Sequence, residues 1–365
     1  VRRSLLARPV LTLTSILTVA LSVGLALTLF EARDAGEQAM LRGGGNTHLV
    51  VSRDGSPLAA VLNNVYFSET PRRPLRWAEF RTIAERYPLE YAIPTLLGDS
   101  YRGQPVVATT REMFEVFTPS PGPDSSWTFA AGRPFDDHWE IVVGAEAARR
   151  TGLGLGDHVH LSHGYGESDH AAHDDRHFDV VGVLAPTGTP MDRALFISLE
   201  SSWTMHADDR RRAEDPGAPL LAVEDLTDAD RMVTGIHLRV ATRPGRMMTT
   251  MMQQVFDELR RDTTITVAQP GVQIRRLLEV VSGVDHLVSG LLLVVLLSSA
   301  LSIALALVNA TEHRRRQIAV LRVLGFTRAR LVRLTLTESA MIGLIGGTLG
   351  ILLAMAGVHL VAFLL

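Results

Sequence analysis

The chain has 365 residues, a formal net charge of -3 and 46% hydrophobic residues. It contains neither cysteine nor lysine, which excludes disulfides, thiolate metal ligands, cysteine nucleophiles and the phosphate-binding loop G-x-x-x-x-G-K-[ST]. The small net charge hides an asymmetry: acidic residues gather in the long middle of the chain, while seven arginines crowd the stretch from Arg314 to Arg333.

Three runs, Pro9 to Phe30, Leu287 to Thr311 and Ser339 to Leu365, carry no acidic, lysine or arginine side chain. Each exceeds the roughly 20 residues that cross about 30 Å of hydrocarbon as a helix. Arg2, Arg3 and Arg8 precede the first run, so the positive-inside bias puts the N-terminus in the cytoplasm and the segment from Glu31 to His286 on the outer side. A cleaved signal peptide is the competing reading of the first run; its length and the lack of a small-x-small site before Glu31 argue against it. Helical patterning continues from Glu31 to Arg42 and stops at Gly43-Gly44-Gly45. A matching helix approaches the second run from Val272, with Ile274, Leu277, Leu278 and Val281 at helical spacing, so a pair of helical stalks is expected.

Between the stalks, short apolar runs read as strands at His48 to Ser52, Val106 to Thr109, Glu140 to Val143, His158 to Leu161, Phe178 to Leu184, Leu195 to Ser198 and Gly235 to Val240. Helical patterns lie at Trp77 to Tyr87, Ala145 to Thr151 and Arg246 to Arg261, which predicts a mixed α+β domain. A smaller lobe is expected around Ser201 to Leu238, with D-D-R-R-R-A-E-D-P-G read as a loop by composition. Thr187 to Arg193 reads as a tight loop with an Asp192–Arg193 ion pair available. Met247, Met248, Met251 and Met252 share helical spacing and read as core filler rather than as a Cu(I) site.

The densest polar cluster is His158, His160, His163, His170, His173 and His177, interleaved with Asp157, Asp169, Asp174 and Asp175. His170-x-x-His173-x-x-x-His177 has spacing usable for Zn²⁺, and strand alternation puts His158 and His160 on one face. A hydrated loop tolerant of any polar residue accounts for the same stretch without an ion. No general base or oxyanion arrangement can be assembled there, so no catalytic residue is assigned.

The stretch from Arg314 to Leu324 suits a helix with Ile318, Leu321 and Leu324 on one side, stopped by Gly325 and followed by Thr327 as N-cap of a helix that re-enters the membrane. In the last run Gly343 and Gly347, and Gly346 and Gly350, form overlapping G-x-x-x-G pairs of the kind that let membrane helices approach closely. Arg315, Arg316, Gln317, Ile318, Leu321, Arg322, Val323, Leu324, Gly325 and Phe326 resemble the pattern R-R-x-E-I-x-x-L-R-A-L-G-A of the FtsX-like/MacB-type permeases, membrane subunits of ATP-binding-cassette transporters. Gln317 stands where the pattern has glutamate, and Val323 and Phe326 where it has small residues. A second stretch, Ala131-Gly132-Arg133-Pro134 through Val142-Val143-Gly144, Gly154-x-Gly156-Asp157 and Val180 to Leu184, looks like the core of the MacB-type periplasmic domain.

The resemblance implies an α-helical transmembrane bundle, three spans here and a fourth beyond Leu365, bearing a large α+β periplasmic domain on stalks. The expected division is a cytoplasmic N-terminus and first span at 1–30, the periplasmic domain at 31–283, spans at 284–311 and 339–365, and a cytoplasmic elbow at 312–338. It further implies a non-catalytic subunit of the bacterial inner membrane, at home in lipid, that passes ATP-driven movement from a separate cytoplasmic ATPase, which holds ATP and Mg²⁺, to the outer domain. A homodimer or close paralogue pair, a periplasmic adaptor or substrate protein, and no nucleic acid complete the expected partners. A signalling scaffold that controls a periplasmic enzyme, or a membrane-tethered metal-binding module, are the other readings.

Overall fold

The computed structural model describes residues 9–120, 126–163, 176–241, 250–280, scattered positions between 290 and 301, and 327–364. These residues fall into two units, one spanning Ala39–Leu277 and one made of Val1–Gln38 with Leu278–Leu365.

The first unit is built on a mixed sheet. Its path of neighbours is β13 (Thr266–Ala268), β1 (Leu49–Ser52), β12 (Gly235–Val240), β3 (Leu89–Tyr101), β4 (Gln104–Thr109), β10 (Leu195–Ser198), β6 (Glu140–Val143), β9 (Phe178–Leu184) and β5 (Phe129–Gly132). Off this path, β7 (His158–Val159) pairs with β9 and β8 (Ser162–His163) with β3, while β2 (Leu75–Arg76) and β11 (Met232–Val233) form a separate ladder. Both faces of the central strands are covered. Val106, Ala108, Ile141, Val143, Leu195 and Ile197 enter one core, and their alternates Val107, Val142 and Phe196 enter the other. Double burial is why these strands read as unbroken apolar runs in the sequence.

The first core is closed by α3 (Trp77–Arg86), α6 (Leu199–Glu214) and α7 (Thr250–Leu259), through Phe80, Ile83, Leu199, Trp203, Met252 and Val255. The second core is aromatic: Phe114 meets Phe135 and Phe196 edge-on at ring centroid distances of 5.5 Å, and Trp127 meets Phe196 at 5.8 Å. Edge-to-face pairs of this kind add about 0.5–1.5 kcal/mol each beyond burial.

Most of the expected strands and helices are present, and α5 (Ala145–Thr151) has the expected bounds. The strand expected over His158 to Leu161 divides into β7 and β8, which pair with different neighbours. The longest strand, β3, had not been expected, because Pro94 and Gly98 interrupt its pattern. Pro94 is accommodated opposite Ile236, its carbonyl accepting the Thr109 hydroxyl at 2.9 Å, and Gly98 lies at a register shift between Leu97 and Ser100. Arg102 and Gly103, with φ of 47° and 75°, close the β3–β4 hairpin in the left-handed turn that suits strand twist. Also beyond expectation is α2 (Pro57–Asn64), whose N-cap Ser56 accepts from the Ala59 amide at 3.1 Å.

Two expectations are corrected. The charged run from Asp208 to Glu214 is the C-terminal part of α6, and α6 joins the main core rather than a separate lobe. Its charges are absorbed by tertiary contacts: buried Asp208 accepts from the Arg176 guanidinium at 2.9 Å and from the Leu221 amide at 2.7 Å. The Asp192–Arg193 pair is also not used as expected. Asp192 instead accepts from the amides of Thr187 and Gly188, and Arg193 donates to the Tyr66 carbonyl at 2.9 Å. Of the four methionines, Met252 is buried and Met251 is exposed, while Met247 and Met248 lie outside the described residues.

In the second unit, α1 (Pro9–Arg42) and α8 (Arg328–Leu364) contain the two described helices long and apolar enough to cross a membrane, over Thr12–Arg42 and Ser339–Gly357. The run from Leu287 to Thr311 lies largely outside the described residues; those described between 290 and 301 are helical and exposed.

One buried group gives the sheet domain a pH signature. His237, on β12 against Phe117, is fully buried, and desolvation, against a smaller contribution from the Asn64 backbone, lowers its pKa to about 4. The unfolded imidazole titrates near 6.5, so the unfolded chain binds the extra proton between pH 6.5 and 4. Stability is therefore intact above pH 6.5 and falls as pH drops toward 4, by on the order of 3 kcal/mol from this residue. Thermal unfolding at stepped pH should show His237→Gln with a shallower loss than the parent over that window; identical slopes would remove His237 as the source.

Candidate functional site

Three places in the chain combine unusual residues with a defined geometry. The first is the point where α1 ends at the sheet domain. Tyr66 lies over Gly43, where a Cβ would stand 2.7 Å from its hydroxyl, and that hydroxyl donates to the Met40 carbonyl at the end of the helix. A Cβ on Gly44 would stand 2.9 Å from Cβ of Pro270, where the returning helix of residues 270–280 begins. Gly45 has φ of +54°, and its α-carbon faces the Thr118 carbonyl too closely for any side chain. The three glycines thus gather the end of α1 and the start of the returning helix on the same few residues.

Directly after them lies a polar knot. Asn46 accepts from Tyr91 at 2.6 Å and from the Thr118 amide at 3.1 Å, and its carbonyl accepts from Arg239 at 2.7 Å. Thr47 Oγ1 lies 3.3 Å from both Tyr91 Oη and His237 Nδ1. Burial raises the Tyr91 phenol well above its ordinary range and lowers His237, so both rings are neutral at physiological pH.

The second place is the glycine notch of α8. The four expected packing glycines divide into two pairs. A Cβ on Gly346 would fall 2.7 Å from Val19 Cβ and 3.0 Å from the Ile16 carbonyl, and one on Gly350 would fall 2.8 Å from Val23 Cβ and 2.9 Å from the Ala20 carbonyl. Gly343 and Gly347 have nothing within 4 Å among the described residues. Contacts step forward together along both helices, Val19 with Gly346, Val23 with Gly350 and Thr28 with Gly357, so α1 and α8 run parallel. Ala20 and Ala354 are buried in the unit, in keeping with small residues at a close helix contact.

The third place is the β7–β9 edge. His158 and Asp179 are direct partners in this antiparallel pair, and His158 Nδ1 lies 2.6 Å from Asp179 Oδ1. His177, two residues before Asp179, brings Nε2 to 4.0 Å from the same oxygen. The His158 and His177 rings cross at 85° with centroids 5.4 Å apart, and His160 lies 6.3 Å from His177. The cluster is open to solvent, the three side chains being 55–65% exposed. Of the six expected histidines the fold therefore brings together His158, His160 and His177; His170 and His173 lie outside the described residues, as does the side chain of His163. The carboxylate is Asp179, which composition alone did not single out because it sits inside an apolar strand. Asp157 instead accepts from the Gly154 amide at 2.8 Å and shapes a turn.

The expected coupling residues Arg315, Arg316, Ile318, Leu321, Arg322, Leu324, Gly325 and Phe326 lie outside the described residues. The residue after them, Thr327, takes the expected N-cap place: α8 starts at Arg328, and the Arg330 amide is 3.4 Å from Thr327 Oγ1.

Two family descriptions match the chain, "MacB-like periplasmic core domain" over residues 12–255 and "FtsX-like permease C-terminal" over residues 289–365. Among solved structures, the extracellular domain of the noncanonic ABC-type transporter YknZ from Gram-positive bacteria aligns at 8% identity and a TM-score of 0.30, covering 60% of this chain and 98% of that one. No curated protein matches.

The division of the glycines is testable. Gly346→Leu and Gly350→Leu must displace α1, and overpacking of this kind costs about 1–3 kcal/mol. Both should lower the thermal unfolding temperature of the detergent-solubilised chain, whereas Gly343→Leu and Gly347→Leu should leave the isolated chain nearly unchanged. Equal losses in the two pairs would contradict the parallel α1–α8 contact.

Proposed function

We propose that this chain, which belongs to the family of FtsX-like permeases with a MacB-like periplasmic core domain, is the membrane subunit of an ATP-binding-cassette transporter that transmits force across the bilayer. The observation that carries the reading is the pairing in one chain of a MacB-like periplasmic core domain and an FtsX-like C-terminal permease segment. In this reading ATP is hydrolysed by a cytoplasmic ATPase. The segment at 312–338, rich in arginine and with Leu324-Gly325-Phe326 at its middle, is the docking elbow of that ATPase.

In this mechanism the two-state opening and closing of the ATPase is passed through the spans to the outer domain, and the domain handles its substrate outside the membrane. The parallel run of α1 and α8 supports three spans, since two helices that cross in the same sense need a return crossing between them, supplied by residues 284–311. The arginines at 2, 3 and 8 and from 314 to 333 support a cytoplasmic N-terminus, with residues 1–30 and 339–365 crossing outward and residues 31–283 on the outer face of the bacterial inner membrane. An ATPase dimer offers two docking places, so two copies of the chain, or one copy and a paralogue, share it. No catalytic residue is assigned. A periplasmic adaptor or substrate protein is the expected partner of the outer domain.

Two experiments test the reading. Gly325→Trp should leave membrane insertion intact but abolish co-purification of the ATPase or uncouple its hydrolysis from function; an unaltered complex with unaltered coupling would sink the elbow. Single cysteines at Gly343 or Gly347, in a chain with no native cysteine, should give disulfide-linked homodimers, and cysteines at Gly346 or Gly350, covered by Val19 and Val23, should not. Crosslinking at neither open position would remove the glycine face from the dimer contact.

A further inference from the structure

The β7–β9 edge is not used by the force-transmitting reading, and its side chains are arranged as metal ligands are. We propose that His158, His177 and Asp179 form a solvent-open binding site for a divalent transition ion, with Zn²⁺ as the best-matched ligand. The proposal does not rest on the transporter reading.

Backbone pairing creates the site. Direct partners in an antiparallel pair project to one face, which puts His158 beside Asp179. Residues two apart on an extended chain also share a face, which adds His177. One donor atom from each residue lies within 4.8 Å of the others. Zn²⁺ held at about 2.0–2.2 Å by imidazole nitrogen and carboxylate oxygen in a tetrahedron sets its donors roughly 3.3–3.6 Å apart. The present separations of 2.6 Å for His158–Asp179 and 4.0 Å for His177–Asp179 bracket that spacing, so exposed side chains need only shift by about an ångström.

The surrounding charges favour an ion over an arginine partner. Arg133, which lines the same groove, is held by Glu140 at 2.6 Å, and Arg176 is held by Asp208 at 2.9 Å while stacking 4.4 Å over Trp139. Asp179 therefore faces imidazoles. Nitrogen and oxygen donors in a two-to-one ratio suit a borderline ion better than Ca²⁺ or Mg²⁺, which prefer oxygen alone. Three protein ligands leave a fourth position toward the open groove of about 700 Å³ that His158 and Asp179 line together with Leu155 and Gly156, where water or a partner's side chain completes the shell.

The test uses the full-length chain in detergent, purified without a histidine tag, titrated with Zn²⁺ against a chromophoric chelator and with Co²⁺ for its visible ligand-field bands. Wild type should bind one equivalent that the double variant His158→Ala/His177→Ala lacks. Asp179→Asn should weaken the same equivalent at least as much as the roughly 10–100-fold loss usual for removing a metal site's outer hydrogen-bond partner. The variant His170→Ala/His173→Ala should retain it. Because the three ligands are exposed, thermal unfolding of the variants without metal should match wild type, and Asp179→Glu, which keeps the carboxylate, provides a second folded variant that should restore the cobalt spectrum in part. Undiminished binding in the double variant, or loss of the equivalent only in His170→Ala/His173→Ala, overturns the assignment.

Discussion

The close approach at Gly43-Gly44-Gly45 is the constraint on which the outer domain depends. A helix of 34 residues must end there, and its last carbonyls need partners that a solvent-exposed loop would supply as water. The chain supplies Tyr66 to Met40, and only a missing side chain at Gly43 lets the ring lie close enough. Pro270 against Gly44 fixes where the returning helix begins, and Thr118 against Gly45 ties both to the aromatic core through Phe117. A side chain at any of the three would push apart the end of α1, the start of the returning helix and the aromatic core.

The knot behind this joint ties the chain that leaves α1 to the sheet. Asn46 and Thr47 are bonded to residues from β3 and β12 and to Thr118, so the chain leaving the joint is held on three sides. Such a part-buried network favours a single arrangement, because moving one member takes a partner from another.

How much of this was legible in the sequence depended on whether a pattern was local. Glu140 to Val143, Leu195 to Ser198 and Gly235 to Val240 were readable because burial on one or both faces imposes a pattern within a few residues. β3 was not, since Pro94 and Gly98 act locally as breakers, and only the partners β12 and β4 show why they are tolerated. The charged end of α6 misled for the same reason: Asp208 is buried because Arg176 and Leu221, distant in sequence, satisfy it. At the histidine edge the imidazoles were visible as composition, but the carboxylate between them was fixed by strand register, which no count of residues reveals.

The glycines of α8 show the same limit from the other side. Gly343, Gly346, Gly347 and Gly350 offer two overlapping motifs with equal claim to a close helix contact, and at 100° per residue the two pairs lie on adjacent stripes of one helix. Sequence cannot choose between them, since each stripe admits a neighbour equally well. The choice is made by α1, whose Val19 and Val23 recur at the same interval of four and seat over Gly346 and Gly350. That contact occupies one stripe with a partner from the same chain and leaves the other with no described neighbour. A motif usually read as a single dimerisation signal thus divides into an intrachain half and an open half. Among the described residues, the half at Gly343 and Gly347 is the one at which a second helix could approach without first displacing α1.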